Sequence, residues 1–151
     1  MNLKVEDPKI YKLIKSQEKY EEETLDLIPS ENYASSAVRE ALGSVLTDKY
    51  SEGYPHKRYY AGQINIDEVE DLAKARALKI FGLSENKWHV NVQPYSGSPA
   101  NLEIYFALLK FGDKVLGMKL DQGGHITHGL PVGFSGAAYK FVSYGVSKET
   151  E

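Results

Sequence analysis

Val90-Asn91-Val92-Gln93-Pro94-Tyr95-Ser96-Gly97-Ser98-Pro99-Ala100-Asn101 changes character at its middle, and the change sets the fold class. Val90 to Gln93 reads as a short strand. Ser98-Pro99 then reads as a cap and first-turn pair opening a helix through Ile104, Tyr105, Leu108 and Leu109, which Gly112 closes. Downstream, Lys114 to Met118 forms a second strand and Ala138 to Tyr144 a third. Upstream, Ile66, Val69, Leu72, Ala73, Arg76, Ala77, Ile80 and Phe81 keep helical spacing, with Gly82 placed as a C-terminal cap. Helix, strand, helix, strand, loop, strand is the order of an α/β sheet, not of a helix bundle.

Nearer the start, Asp7 and Pro8 mark an N-cap and first helical position. Ile10, Leu13, Ile14 and Tyr20 lie close to one face of the helix that follows, which ends before Pro29. Ser36 caps a second helix through Val38, Ala41 and Leu42. Tyr50 to Gln63 matches neither period. It holds Gly53, Pro55 and Gly62 among tyrosines and charges, and it reads as a long ordered loop.

With 151 residues, 42% hydrophobic and 26% charged, the composition is that of a globular domain able to bury a core. A net charge of −3 without a basic stripe argues against nucleic acid as a partner. No apolar run approaches membrane-spanning length, and charges among Met1 to Ile10 break any signal-peptide core. The expected address is cytoplasmic. The absence of cysteine removes disulfides and thiolate metal sites.

Three segments carry candidate chemistry. Ser96, Gly97 and Ser98 at a helix start form a cup for an anion, with backbone N–H groups and two hydroxyls as donors; the plain alternative is a helix cap that binds nothing. No Gly-x-Gly-x-x-Gly or Gly-Lys-Ser/Thr pattern is present to favour a nucleotide. Gly123-Gly124-His125-Ile126-Thr127-His128-Gly129 follows the second strand, where open α/β sheets place ligands. His125 there suits a flat ring against an aromatic cofactor, a proton carrier, a metal ligand with His128 and Asp121, or a hydrogen-bonded structural residue. Tyr50, Glu52, Tyr54, Lys57, Arg58, Tyr59 and Tyr60 suit substrate positioning and proton transfer, and equally an aromatic-rich interface.

Leu27-Ile28-Pro29-Ser30-Glu31-Asn32, Gly43 to Pro55, and Lys57-Arg58-Tyr59-Tyr60-Ala61-Gly62 resemble serine hydroxymethyltransferase. The resemblance continues through the cup and Gly117-Met118 to Gly129, covering about Leu25 to Tyr144. Pro29, His56 and Gln63-Ile64-Asn65 depart from the family pattern at positions with no assigned role.

The resemblance implies pyridoxal 5'-phosphate as cofactor and tetrahydrofolate as co-substrate, with serine and glycine interconverted. It implies the fold-type I pyridoxal-phosphate transferase fold. Residues 1–60 would be an N-terminal arm with the tyrosine-rich loop, and 61–151 the incomplete first part of the large cofactor-binding domain of a homodimer or higher homo-oligomer. Ser30 would lie near the cofactor ring and the amino-acid carboxylate. Tyr50 would reach across a dimer interface to the cofactor phosphate, and Glu52 would be the acid/base group beside the hydroxymethyl carbon. Tyr60 would close on the substrate. Ser96, Gly97 and Ser98 would cradle the phosphate, His125 would stack on the pyridine ring, and Leu120, Gly124 and Ile126 would border the folate. Asp121 and His128 would be structural or would support the residues that touch the ligands. The Schiff-base lysine, expected in a Thr-His-Lys sequence, is absent from these residues, so the chain is expected to be truncated and inactive alone. The alternatives are another fold-type I enzyme, such as an aldolase or aminotransferase, and a non-catalytic interaction module.

Overall fold

Asp7 starts the longest N-terminal helix in the way its side chain allows: Oδ1 accepts the backbone N–H groups of Lys9 and Ile10, at 3.1 and 3.0 Å, and Pro8 occupies the first turn. The computed structural model, which describes residues 2–150, divides between Ser51 and Glu52 into two compact units. The division leaves Tyr50 with the first unit and Glu52 to Tyr60 with the second.

The first unit is helical. A short α1 (Leu3–Glu6) precedes α2 (Pro8–Glu23), then come α3 (Ser36–Leu42) and a 3-10 turn, Val45–Asp48. The cap of α3 is Ser35, whose Oγ accepts the Val38 N–H at 3.3 Å; the expected cap, Ser36, is already the first helical residue. Ile10, Leu13 and Ile14 share a face as their spacing implies, but that face stays 45%, 57% and 43% exposed. Replacing Asp7 by alanine removes both cap bonds and should lower the stability of α2 by about 1 kcal/mol. Helicity by circular dichroism through a thermal scan reads this directly; an unchanged melt would show that the cap contributes nothing.

The second unit is α/β. Its hairpin pairs β1 (Gly53–Tyr54) with β2 (Lys57–Arg58), within the stretch expected to be a loop. Two-residue strands leave no periodic signal, and the turn between them, Pro55-His56, carries His56 at φ +63. α4 (Ile64–Ile80) ends as expected, with Phe81 as its cap and Gly82 at φ +65 beyond it. Val90 to Gln93 is not a strand. It pairs with no neighbour among the described residues, and the Asn91 side chain takes the Gln93 N–H at 3.0 Å, a local bond that competes with a ladder. α5 (Gly97–Leu108) begins earlier than expected, with Ser96 at the cap position.

β3 (Lys114–Met118) and β4 (Lys140–Tyr144) form a parallel pair, Lys114 facing Lys140 and Met118 facing Tyr144. The expected third strand loses its first residues because Phe134–Ala138 forms a helix, α6, before Lys140. Tyr105 of α5 packs on Tyr139 with ring centroids 5.5 Å apart, and Phe111 meets Tyr139 at 5.9 Å. Tyr105, Tyr139 and Leu78 are the large apolar residues buried among the described residues. Tyr105 also meets Phe141 of β4 edge-on at 6.0 Å, so the aromatic seam joins α5 to β4.

Candidate active site

The start of α5 is built to leave donors open. Ser96 sits at the cap position with extended φ −164 and ψ 177, yet its hydroxyl makes no capping bond. Its carbonyl accepts the Ala100 N–H at 3.2 Å, which leaves the first-turn N–H groups of Gly97 and Ser98 directed outward, as at any helix start. A Cβ on Gly97 would meet nothing within 4 Å, so the glycine answers to no neighbour inside this unit. Free N–H groups, two hydroxyls and the positive end of a helix suit an anion.

One turn further along, the same helix grips the glycine-rich loop. Asn101 Nδ2 donates to Thr127 Oγ1 at 2.8 Å, and Tyr105, four residues on and on the same face, donates its phenol proton to the Thr127 carbonyl at 3.1 Å. His128 Nδ1 closes a short contact on the Tyr105 hydroxyl. Burial first, and Tyr139 nearby, hold the Tyr105 phenol above its ordinary pKa, so it stays a donor. His128 Nδ1 shares that hydroxyl with the Thr127 carbonyl. His128 is thereby a structural strut. His125 is exposed, and its Nδ1 accepts the Thr127 N–H at 3.2 Å and stands 2.7 Å from Thr127 Oγ1.

Leu120, Ile126 and His125 line one cavity of about 200 Å³ together with Met118, Asp121 and His128. Gly124 does not line that cavity; a methyl group on it would collide with the Met118 carbonyl oxygen. Among the described residues no three His, Asp or Glu side chains gather as a metal site. Asp121, His125 and His128 share a cavity without forming one.

The hairpin presents Glu52 and Tyr60 at its two ends, Tyr60 half exposed. What holds it was not anticipated from the sequence. Arg58, with only 4% of its side chain exposed, donates from Nε to Asp67 at 2.8 Å, from Nη2 to Glu70 at 2.7 Å and from Nη1 to the Gly53 carbonyl at 2.6 Å. His56 donates its N–H to Asp67 at 3.1 Å, and its Nε2 lies 2.9 Å from the Asp71 carboxylate. Gln93 Nε2 reaches Glu70 at 3.0 Å and Gly53 O at 2.9 Å, joining the hairpin to the segment that leads into α5. Asp67, Glu70 and Asp71 recur at helical spacing on α4, and that acidic stripe was the available signal. In the first unit, Ser30 lies in the turn after Pro29, exposed, and Tyr50 is 65% exposed.

A family model described as Serine hydroxymethyltransferase matches residues 3–151. The chain belongs to the serine hydroxymethyltransferase family. That family comprises pyridoxal-phosphate enzymes of serine and glycine in one-carbon metabolism, built on fold-type I. The open donors of Ser96, Gly97 and Ser98 fit the phosphate that a serine hydroxymethyltransferase must hold, and the exposed His125 ring fits a flat heterocycle beside it. No helix among the described residues is long and apolar enough to cross a membrane.

Proposed function

We propose that this chain supplies the phosphate cup, one ring face and the acid/base loop of an enzyme that moves a hydroxymethyl group between serine and tetrahydrofolate. The observation that carries the reading is the double use of α5: Gly97 opens the cup and Asn101, about 6 Å along the axis, holds the loop of His125. A phosphate and an aromatic ring bound there would belong to one small molecule.

When bound, pyridoxal phosphate withdraws electrons from the α carbon of the amino acid. The chain's residues do the rest of what is assigned here. Ser96, Gly97 and Ser98 bind the phosphate, and His125 covers one face of the ring. Glu52 exchanges a proton at the substrate hydroxyl, while Tyr60 excludes water as it closes. Leu120, Gly124 and Ile126 border the folate. Ser30 and Tyr50 act at the cofactor, Tyr50 across a homo-oligomer interface. The exposed Ile10, Leu13 and Ile14 face of α2 supports such an interface.

These 151 residues contain no Thr-His-Lys sequence, so on this reading they bind and position without turning over by themselves. The expected result with pyridoxal phosphate, serine and tetrahydrofolate is a change in cofactor fluorescence that saturates, with no glycine formed. Glycine above a heat-killed control would contradict the assignment of roles; absence of any saturable fluorescence change would contradict the cup.

A further inference from the structure

We infer that Asn101 and Thr127 are positioning residues that hold His125 in one neutral tautomer, with the proton on Nε2 and the lone pair of Nδ1 turned inward. The inference rests on the reading of His125 as the ring-facing residue and deepens it.

The direction of each hydrogen bond follows from groups that have no choice. The Thr127 backbone N–H only donates, so at 3.2 Å it requires an accepting Nδ1. The Asn101 amide nitrogen only donates, so at 2.8 Å it occupies Thr127 Oγ1 as an acceptor and leaves the hydroxyl proton to be given away. The group within reach of that proton is His125 Nδ1, at 2.7 Å. Both donors therefore converge on one nitrogen, and a proton there would break both bonds.

The order runs from α5 outward. Asn101 sets the Thr127 hydroxyl, which sets the imidazole, and Tyr105 fixes the Thr127 carbonyl from the same face of the helix. His128 is held separately, through the Tyr105 hydroxyl. The loop thus anchors two histidines three residues apart through different partners. A neutral His125 presents an uncharged face to an electron-poor ring, where an imidazolium would repel a pyridinium, and its Nε2–H remains the one donor on the exposed side.

The tautomer is read without any cofactor, from the long-range nitrogen–proton correlations of the His125 ring in the purified chain, above the pH range in which histidine ordinarily titrates. The parent should show the Nε2–H pattern. Thr127→Val keeps the side-chain shape and removes the hydroxyl; the ratio of Nε2–H to Nδ1–H should fall by about fivefold, the effect of one lost hydrogen bond. Thr127→Ser restores the hydroxyl and should restore the ratio. Asn101→Asp draws the hydroxyl proton to its own carboxylate and should move the ratio in the same direction as valine, in a variant whose loop residues are untouched. A parent in the Nδ1–H form, an unchanged ratio in both Thr127→Val and Asn101→Asp, or a serine variant as altered as valine would overturn the inference. Pyridoxal phosphate affinity measured on the same samples separates the two readings: failure of the parent to bind removes the cup and leaves the tautomer result standing.

Discussion

Replacing Arg58 by methionine is expected to destabilise the second unit by about 3 kcal/mol or more and to release the Gly53–Arg58 hairpin from α4. The guanidinium is almost fully buried between Asp67 and Glu70, and its removal leaves two enclosed carboxylates without their main partner. The Lys74–Asp71 pair provides the control. It is 22% and 40% exposed, so Lys74→Met should change stability by less than about 1 kcal/mol. For a unit of this size the Arg58 change corresponds to a fall in melting temperature of about 15 °C or more. Its pH dependence has a definite sign. The hydrogen bond from Arg58, helped by the His56 N–H, holds Asp67 below the usual aspartate value against the opposing effect of burial. A depressed folded value means that stability is present above the unfolded pKa and is lost as pH falls through the folded one. Arg58→Met should therefore flatten the acid limb of a melting-temperature profile as well as lower its neutral plateau. A variant that melts with the parent at neutral pH would remove the ion network as the support of Glu52 and Tyr60.

Ser98→Asp should act in opposite directions on stability and on binding. Ser98 lies in the first turn of α5, where a carboxylate meets the positive end of the helix and adds about 0.3–1 kcal/mol. The same carboxylate would stand where the phosphate is held. Against a dianion about 4 Å away in water-like surroundings, the repulsion is roughly 2 kcal/mol, some thirtyfold in affinity. Ser98→Ala removes at most one hydrogen bond, worth about 0.5–1.5 kcal/mol, and should loosen binding by less. Pyridoxal phosphate titrations and thermal melts of both variants decide the matter. If the aspartate variant were more stable and bound as tightly as the parent, the start of α5 would be an ordinary helix end.

The parts of the fold that were legible in the sequence are those fixed locally. Asp7-Pro8 and Gly82 mark helix ends because capping is a matter of neighbouring residues, and α4 follows its 3.6-residue spacing. Val90 to Gln93 has the look of a strand, but a strand exists only through a partner, and pairing is not written in the segment itself. The hairpin is hidden in the sequence for the converse reason. Its strands are two residues long and are held by Arg58 and His56 reaching nine to fifteen residues ahead to α4. In the site, small residues at a helix start suggest the cup from first principles, whereas for Glu52, Tyr60 and His125 the residues leave several roles open and resemblance selects among them. Tyr105 read as one more apolar position on α5. Its phenol, like the Asn101 amide one turn before it, proved to be an anchor for the His125 loop, a function that needs two elements to be seen together.

The most direct test of the account is an amide and imidazole chemical-shift map of the chain titrated in parallel with inorganic phosphate and with pyridoxal phosphate. Both ligands should shift the Gly97 and Ser98 amides, and pyridoxal phosphate alone should shift the His125 ring, because only it carries an aromatic group from the cup to the loop. Shifts scattered over surface lysines with Gly97, Ser98 and His125 unmoved would contradict the claim that α5 organises one cofactor site.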